Sequence, residues 1–102
     1  MRVVISDTAK AEIARQIAYI RERNPDAARQ QRERISRAVA LLRGTPGLGG
    51  RPGRMEGTRE LVISGTPFIL VFEISAGRID ITHVVHGRQQ WPPRTKDQDD
   101  EE

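Results

Sequence analysis

The chain contains no cysteine, so a disulfide framework and thiolate chemistry are both excluded, as suits a protein of the reducing cytoplasm. Metal chelation lacks material too. The two histidines, His83 and His86, stand three apart in a stretch that reads as a strand and therefore face opposite sides, and no cysteine completes a site. No Gly-x-Ser-x-Gly elbow supplies a nucleophile. The carboxylates Glu60, Glu73 and Asp80 are scattered without the spacing of an acid–base pair. Long apolar runs are absent as well: none is longer than residues 68–72, far short of a bilayer span, and Ser6 and Asp7 interrupt the N-terminal Val3, Val4 and Ile5 before a signal-peptide core can form. These absences predict a soluble, cytoplasmic protein with no cofactor, no metal and no membrane partner.

Lysine is nearly missing where arginine is abundant, 2 against 15. The formal charge is only +3, but five of the 14 acids lie in the last six residues; without them, 17 bases face 9 acids, a body of +8. Such a surface favours nucleic acid, ribosome or an acidic protein partner, or else it is a set of solvated helix arginines. At 102 residues and 11.5 kDa the chain has room for one core of two packed layers and none for a separate cofactor domain. Pro92 and Pro93 end regular structure, which divides the chain into a domain over residues 1–93 and an acidic tail over 94–102 whose segment from Asp97 to Glu102 has no apolar residue and is expected to be disordered.

The rest is organised around residues 59–91, which hold three of the four aromatic side chains. Runs rich in Val, Ile and Phe, broken at residues 64–67 and 75–77, predict three consecutive antiparallel strands. In the middle strand Phe68, Leu70, Phe72 and Ile74 share one face and Ile69, Val71, Glu73 and Ser75 the other. One face needs a cover. Residues 2–6 read as a short strand ended where Ser6 or Asp7 caps a helix. Ala9, Ile13, Ile17 and Ile20 recur at helical spacing, with Glu12, Arg15 and Arg21 turned outward. Asn24-Pro25 stops that helix and starts a second, which runs to about Arg43 and buries Ala28, Ile35, Ala38, Val39 and Leu42. So short a link predicts an antiparallel helical hairpin. The expected core is Ile13, Ile17, Ile35, Val39, Leu42, Phe68, Leu70 and Phe72, which leaves Ile69 and Val71 partly exposed unless another chain or the C-terminal segment covers them. Between helix and meander, residues 44–57 carry six glycines and two prolines and form a turn-rich connection, with Leu48 tucked on the core edge. A phosphate loop is excluded there, because the stretch follows a helix, leads into a strand and lacks the Gly-Lys-Ser/Thr ending.

The fold class is therefore α+β. Its order, with Asn24-Pro25-Asp26-Ala27-Ala28 at the bend of the hairpin, Thr58-Arg59-Glu60-Leu61, Pro67-Phe68-Ile69-Leu70-Val71-Phe72 and His86-Gly87-Arg88-Gln89-Gln90-Trp91, resembles the ParE branch of the RelE/ParE toxin superfamily over residues 2–92. The resemblance implies a β-α-α-β-β-β domain, the toxin of a type II toxin-antitoxin pair. Its implied partners are a cognate antitoxin, ParD-like or of another ribbon-helix-helix type, and DNA gyrase, which ParE members inhibit. RelE members instead cleave messenger RNA in the ribosomal A site, and that endoribonuclease activity is the alternative; a third reading is an inactive module that works only with its antitoxin. Cleavage by 2′-hydroxyl attack needs cations for the phosphorane charge. Where the RelE-like nucleases carry two lysines and an arginine, the strand alignment places Glu60, Val62 and Ile69. The aromatic hydroxyl near the C-terminus is also lacking, since the one tyrosine is Tyr19. The balance favours a protein that acts by binding, without sequence-specific nucleic-acid recognition. The expected target contacts are Arg59, His86, Arg88 and Trp91, clustered near strand ends, and the expected antitoxin contacts are Ile69, Val71, Arg29 and Arg32.

Overall fold

The computed structural model describes residues 2–44 and 50–93; the expectations for Leu48 and for the tail fall outside these residues. Chain order is β1 (Arg2–Ile5), α1 (Asp7–Arg23), α2 (Pro25–Gly44), β2 (Arg51–Pro52), β3 (Arg59–Val62), β4 (Phe68–Ser75) and β5 (Arg78–His86). The helical hairpin turns on one residue. Asn24 ends α1 by donating its N–H to Ile20 O at 2.8 Å, and its Oδ1 accepts from Ala27 N at 3.1 Å to start α2. One residue thus serves both helix ends, with its backbone N–H at the last turn of α1 and its side-chain Oδ1 at the first turn of α2, and Pro25 occupies the first-turn position where its missing N–H costs nothing.

The expected meander β3–β4–β5 is present, with positive φ at Gly65 and Gly77 in its two turns. Two features enlarge it into a five-stranded mixed sheet of order β1-β5-β4-β3-β2. The N-terminal strand pairs in parallel with β5, Val3 beside Ile79 and Ile5 beside Ile81. Two residues of the Gly/Pro-rich connection, Arg51 and Pro52, pair with Glu60 and Arg59 at the other edge. One sheet face packs under the helices: Ile17, Ile35, Leu42, Phe68, Leu70, Phe72, Ile79, Ile81 and Val84 are buried there, with Ile13 and Val39 half-buried beside them.

A bulge in β5 decides which residues reach each face. Val71 lies opposite His83 while the next β4 residue, Phe72, lies opposite Ile81, so Thr82 is an extra residue, and its hydroxyl donates to Val71 O at 3.3 Å. An extra residue reverses the alternation beyond it. Ile81 and Val84, three apart, therefore both enter the core, and His83 and Val85 turn to the opposite face.

β1 ends at Ile5, and α1 takes over the edge of β5 beyond it. Ser6, which caps α1 by accepting from Ala9 N, donates its hydroxyl to Thr82 O at 3.1 Å. Glu12 accepts from Val84 N at 2.9 Å and Gln16 donates to Val84 O at 3.0 Å. Two helix side chains one turn apart thus satisfy backbone groups that a neighbouring strand would otherwise pair. Glu12 is half-buried for this reason and does not point outward as its helix position alone predicts. Among the described residues no helix is long and apolar enough to cross a membrane.

Candidate functional site

The sheet face away from the helices carries three of the eight candidate residues, Ile69, Val71 and Trp91. Ile69, Val71 and Val85 form a second small core on it, and Trp91 closes that core from above. The chain turns back after β5 through a tight structure in which His86 Nδ1 accepts from Arg88 N at 3.0 Å, Gln89 N donates to His86 O at 2.9 Å, and Gln89 Oε1 accepts from His86 N at 3.2 Å. These bonds bring Trp91 back over the sheet, its ring 4.7 Å from that of His83. His83 is itself held by Glu12, 3.3 Å from Nδ1.

Two expectations are corrected by this arrangement. Ile69 is 8% exposed and Val71 is fully buried, so neither presents a side chain to an antitoxin while the C-terminal segment lies over them. Trp91 is 7% exposed, with a buried indole N–H that has no partner among the described residues; it serves the fold as a cover and is no exposed anchor. Trp91→Ala should uncover the second core and lower stability by about 2 kcal/mol, the scale of one lost apolar burial. The check is thermal melting together with binding of a hydrophobic dye. An unchanged melt without dye uptake would show that Trp91 covers nothing.

The remaining target candidates do not converge either. His86, opposite Phe68, lies on the helix side of the sheet with its ring edge-on to Phe68 at 6.1 Å, and Arg88 is exposed in the turn next to it. Arg59 lies opposite Phe72, four residues along β4 and so about 13 Å from the Phe68 end. Its guanidinium donates to Gly50 O at 3.2 Å. His86 and Arg88 therefore form one unit, and Arg59 belongs to the far edge of the sheet. Arg29 and Arg32 are exposed on α2, where Arg29 pairs with Asp26 at 2.9 Å.

Among the described residues a buried polar cluster lies on this face that the sequence did not announce. Glu60, among the apolar residues of the second face, has a fully buried side chain. Arg54 donates to it from its backbone N–H at 2.9 Å and from its guanidinium at 3.1 to 3.2 Å, and Arg51 stands 3.5 Å away. Burial pushes the Glu60 carboxyl upward, but the hydrogen bonds from Arg54, the charge of Arg54 and the bond from Arg51 together outweigh it and hold the group below its ordinary value. Gly50, at φ +73°, allows the approach of β2, because a Cβ there would run into the Glu60 carbonyl. The available signal was the alternation itself, which places Glu60 on an apolar face, where a carboxylate requires a cation from Arg51 or Arg54 nearby. Among the described residues no group of three or more His, Asp or Glu side chains is arranged for a metal ion.

Comparison with known proteins gives a consistent picture. The family model described as ParE toxin of type II toxin-antitoxin system, parDE, matches residues 3–91. A protein of Sinorhizobium fredii named "Putative toxin Y4kP" is 45% identical over 75 residues, 74% of this chain and 76% of that protein. The solved structure described as chromosomal ParDE TA system from P. aeruginosa superposes with a TM-score of 0.77 over 84% of this chain and 95% of that one, at 22% identity, a likeness of fold.

Proposed function

Since the chain belongs to the ParE toxin family of type II toxin-antitoxin systems, we propose that it acts in the cytoplasm by binding DNA gyrase and inhibiting it, and that a cognate antitoxin neutralises it. The observation that carries the choice of gyrase over messenger cleavage is the state of the sheet face where the nuclease branch of the resemblance keeps its cations. Glu60 there is a buried carboxylate that engages both Arg54 and Arg51, Ile69 lies under Trp91, and Val62 is an exposed apolar side chain at the strand end. Two guanidiniums facing one carboxylate leave a net charge of +1, but the Arg54 guanidinium is spent on hydrogen bonds to the buried Glu60 and is not aimed at a phosphorane. His86 Nδ1 is occupied by the Arg88 N–H, so that ring nitrogen is not free to take a proton from a 2′-hydroxyl.

Purified protein should therefore block supercoiling by gyrase, or trap its cleaved DNA complex, and leave ribosome-bound messenger uncut. Arg88 is the contact to remove first, because it is exposed and its backbone bond to His86 survives truncation. Arg88→Ala should weaken inhibition roughly ten-fold or more, as expected for an arginine at a binding hot spot, with no change in melting. Codon-dependent cleavage of messenger by ribosomes, with gyrase unaffected at the same concentration, would overturn the proposal and make His86 and Arg88 catalytic candidates.

A further inference from the structure

A groove runs between α1 and α2 and opens into two cavities, one of about 250 Å³ near the bend of the hairpin and one of about 340 Å³ towards β1. Arg32 lines both, Arg21 and Arg29 line the first, and Arg43 lines the second. No carboxylate and no aromatic side chain lines either. Arg21 and Arg32 are exposed and have no hydrogen-bond or ion-pair partner among the described residues, while Arg29 is shared with Asp26 at 2.9 Å. Cations set around one groove repel each other, and a bound polyanion relieves that repulsion. The floor narrows the choice of polyanion. Ile17, Ala28 and Ile35 are 1%, 2% and 5% exposed, so the groove offers a protein segment little apolar area to bury. Its binding capacity lies in the guanidiniums and in the exposed Ser36 hydroxyl, groups that bond phosphate oxygens. Arg29 and Arg43 stand fourteen positions apart on α2, about 21 Å along a straight axis, a length over which one strand of duplex DNA carries about six phosphates. Single-stranded nucleic acid is held largely by stacking on aromatic side chains, which this groove lacks.

We propose that this interhelical groove binds the phosphate backbone of duplex DNA through Arg21, Arg29 and Arg32, with Arg43 at its far end. Such contacts fix position on the duplex and read no sequence. The excess of Arg over Lys, 15 to 2, suits the task, because a planar guanidinium meets a phosphate through two bonds where an ammonium is a point charge. The proposal goes beyond the gyrase reading and does not rest on it, since neither His86 nor Arg88 lines the groove. Together the two surfaces would let one molecule grip the enzyme and its DNA at once.

The test is fluorescence anisotropy of a labelled duplex of arbitrary sequence, titrated with the full chain at several salt concentrations. With about four phosphates neutralised, affinity should fall about a hundred-fold between ~50 mM and ~200 mM salt. The double variant Arg21→Gln, Arg32→Gln should weaken binding about ten-fold or more at the lower salt and reduce the slope against salt by about two. The pair Arg15→Gln, Arg37→Gln removes the same charge at exposed positions outside the groove and should change both quantities far less. All four positions are exposed, so both variants should melt like wild type. Equal losses from the two pairs overturn the proposal, because net charge alone would then attract the duplex. Absence of binding at the lower salt also overturns it. So do displacement of the duplex by poly-glutamate at equal charge, which makes an acidic protein segment the occupant, and tighter binding of the RNA duplex of the same sequence. Gyrase inhibition by the same variants is assayed separately, so failure of the groove to bind DNA leaves that reading standing.

Discussion

Phe72→Ala should leave almost no cooperatively folded protein. Phe72 is fully buried, paired with Ile81 across β4–β5 and with Arg59 across β3–β4, and it belongs to the core between sheet and helices. Truncation of a buried Phe costs about 3–5 kcal/mol in lost transfer energy and residual cavity, against a total stability of about 5–15 kcal/mol for a domain. Ile74→Ala is the matched control: alternation assigns it to the same face of the same strand, yet it is 43% exposed near the strand end and should change stability little. Thermal melting by circular dichroism decides the matter. A sharp transition near that of wild type in the Phe72 variant would show that the strand does not face the helices.

What the sequence revealed in advance was what short-range chemistry determines. Asn24-Pro25 marks a hairpin because one capping amide and one fixed φ are enough to end a helix and begin another. Phe68, Leu70 and Phe72 identify the covered face because a strand alternates. Most of the failures involve pairing between separate strands or segments, which no single stretch announces. Nothing in Ile81-Thr82-His83-Val84 announces that Thr82 is an extra residue, since a bulge is a property of the pairing with Val71 and Phe72 and of no single strand. The parallel pairing of β1 with β5 joins residues more than seventy positions apart, and β2 is too short to carry a pattern. The candidate site suffered most. The sequence assigns Trp91 to target contact and Ile69 and Val71 to a partner-binding face, although each covers the other in one small core.

Arg54→Ala should destabilise the fold by about 3 kcal/mol at neutral pH, because it removes the principal partner of a buried carboxylate and leaves the charge in an apolar setting. Arg51 at 3.5 Å and the backbone N–H of residue 54 remain, which keeps the loss at the low end of the range for broken buried pairs. Acid should act on this variant and on wild type in opposite senses. In wild type the Glu60 carboxyl is held below its ordinary value of 4.5, so the stability it contributes is fully present above that pH and is lost as pH falls through the lower, folded value. With Arg54 gone, burial dominates and pushes the carboxyl upward; protonation then relieves the buried charge. The stability difference between the two proteins should therefore be greatest near neutrality and narrow as the solution is acidified towards pH 4.5 and below. Glu60→Gln, which carries no charge to relieve, should lack the part of the acid sensitivity that wild type owes to this group. Chemical denaturation of the three proteins across that range checks the whole scheme, and parallel pH profiles for wild type and Arg54→Ala would show that Arg54 does not hold Glu60 ionised.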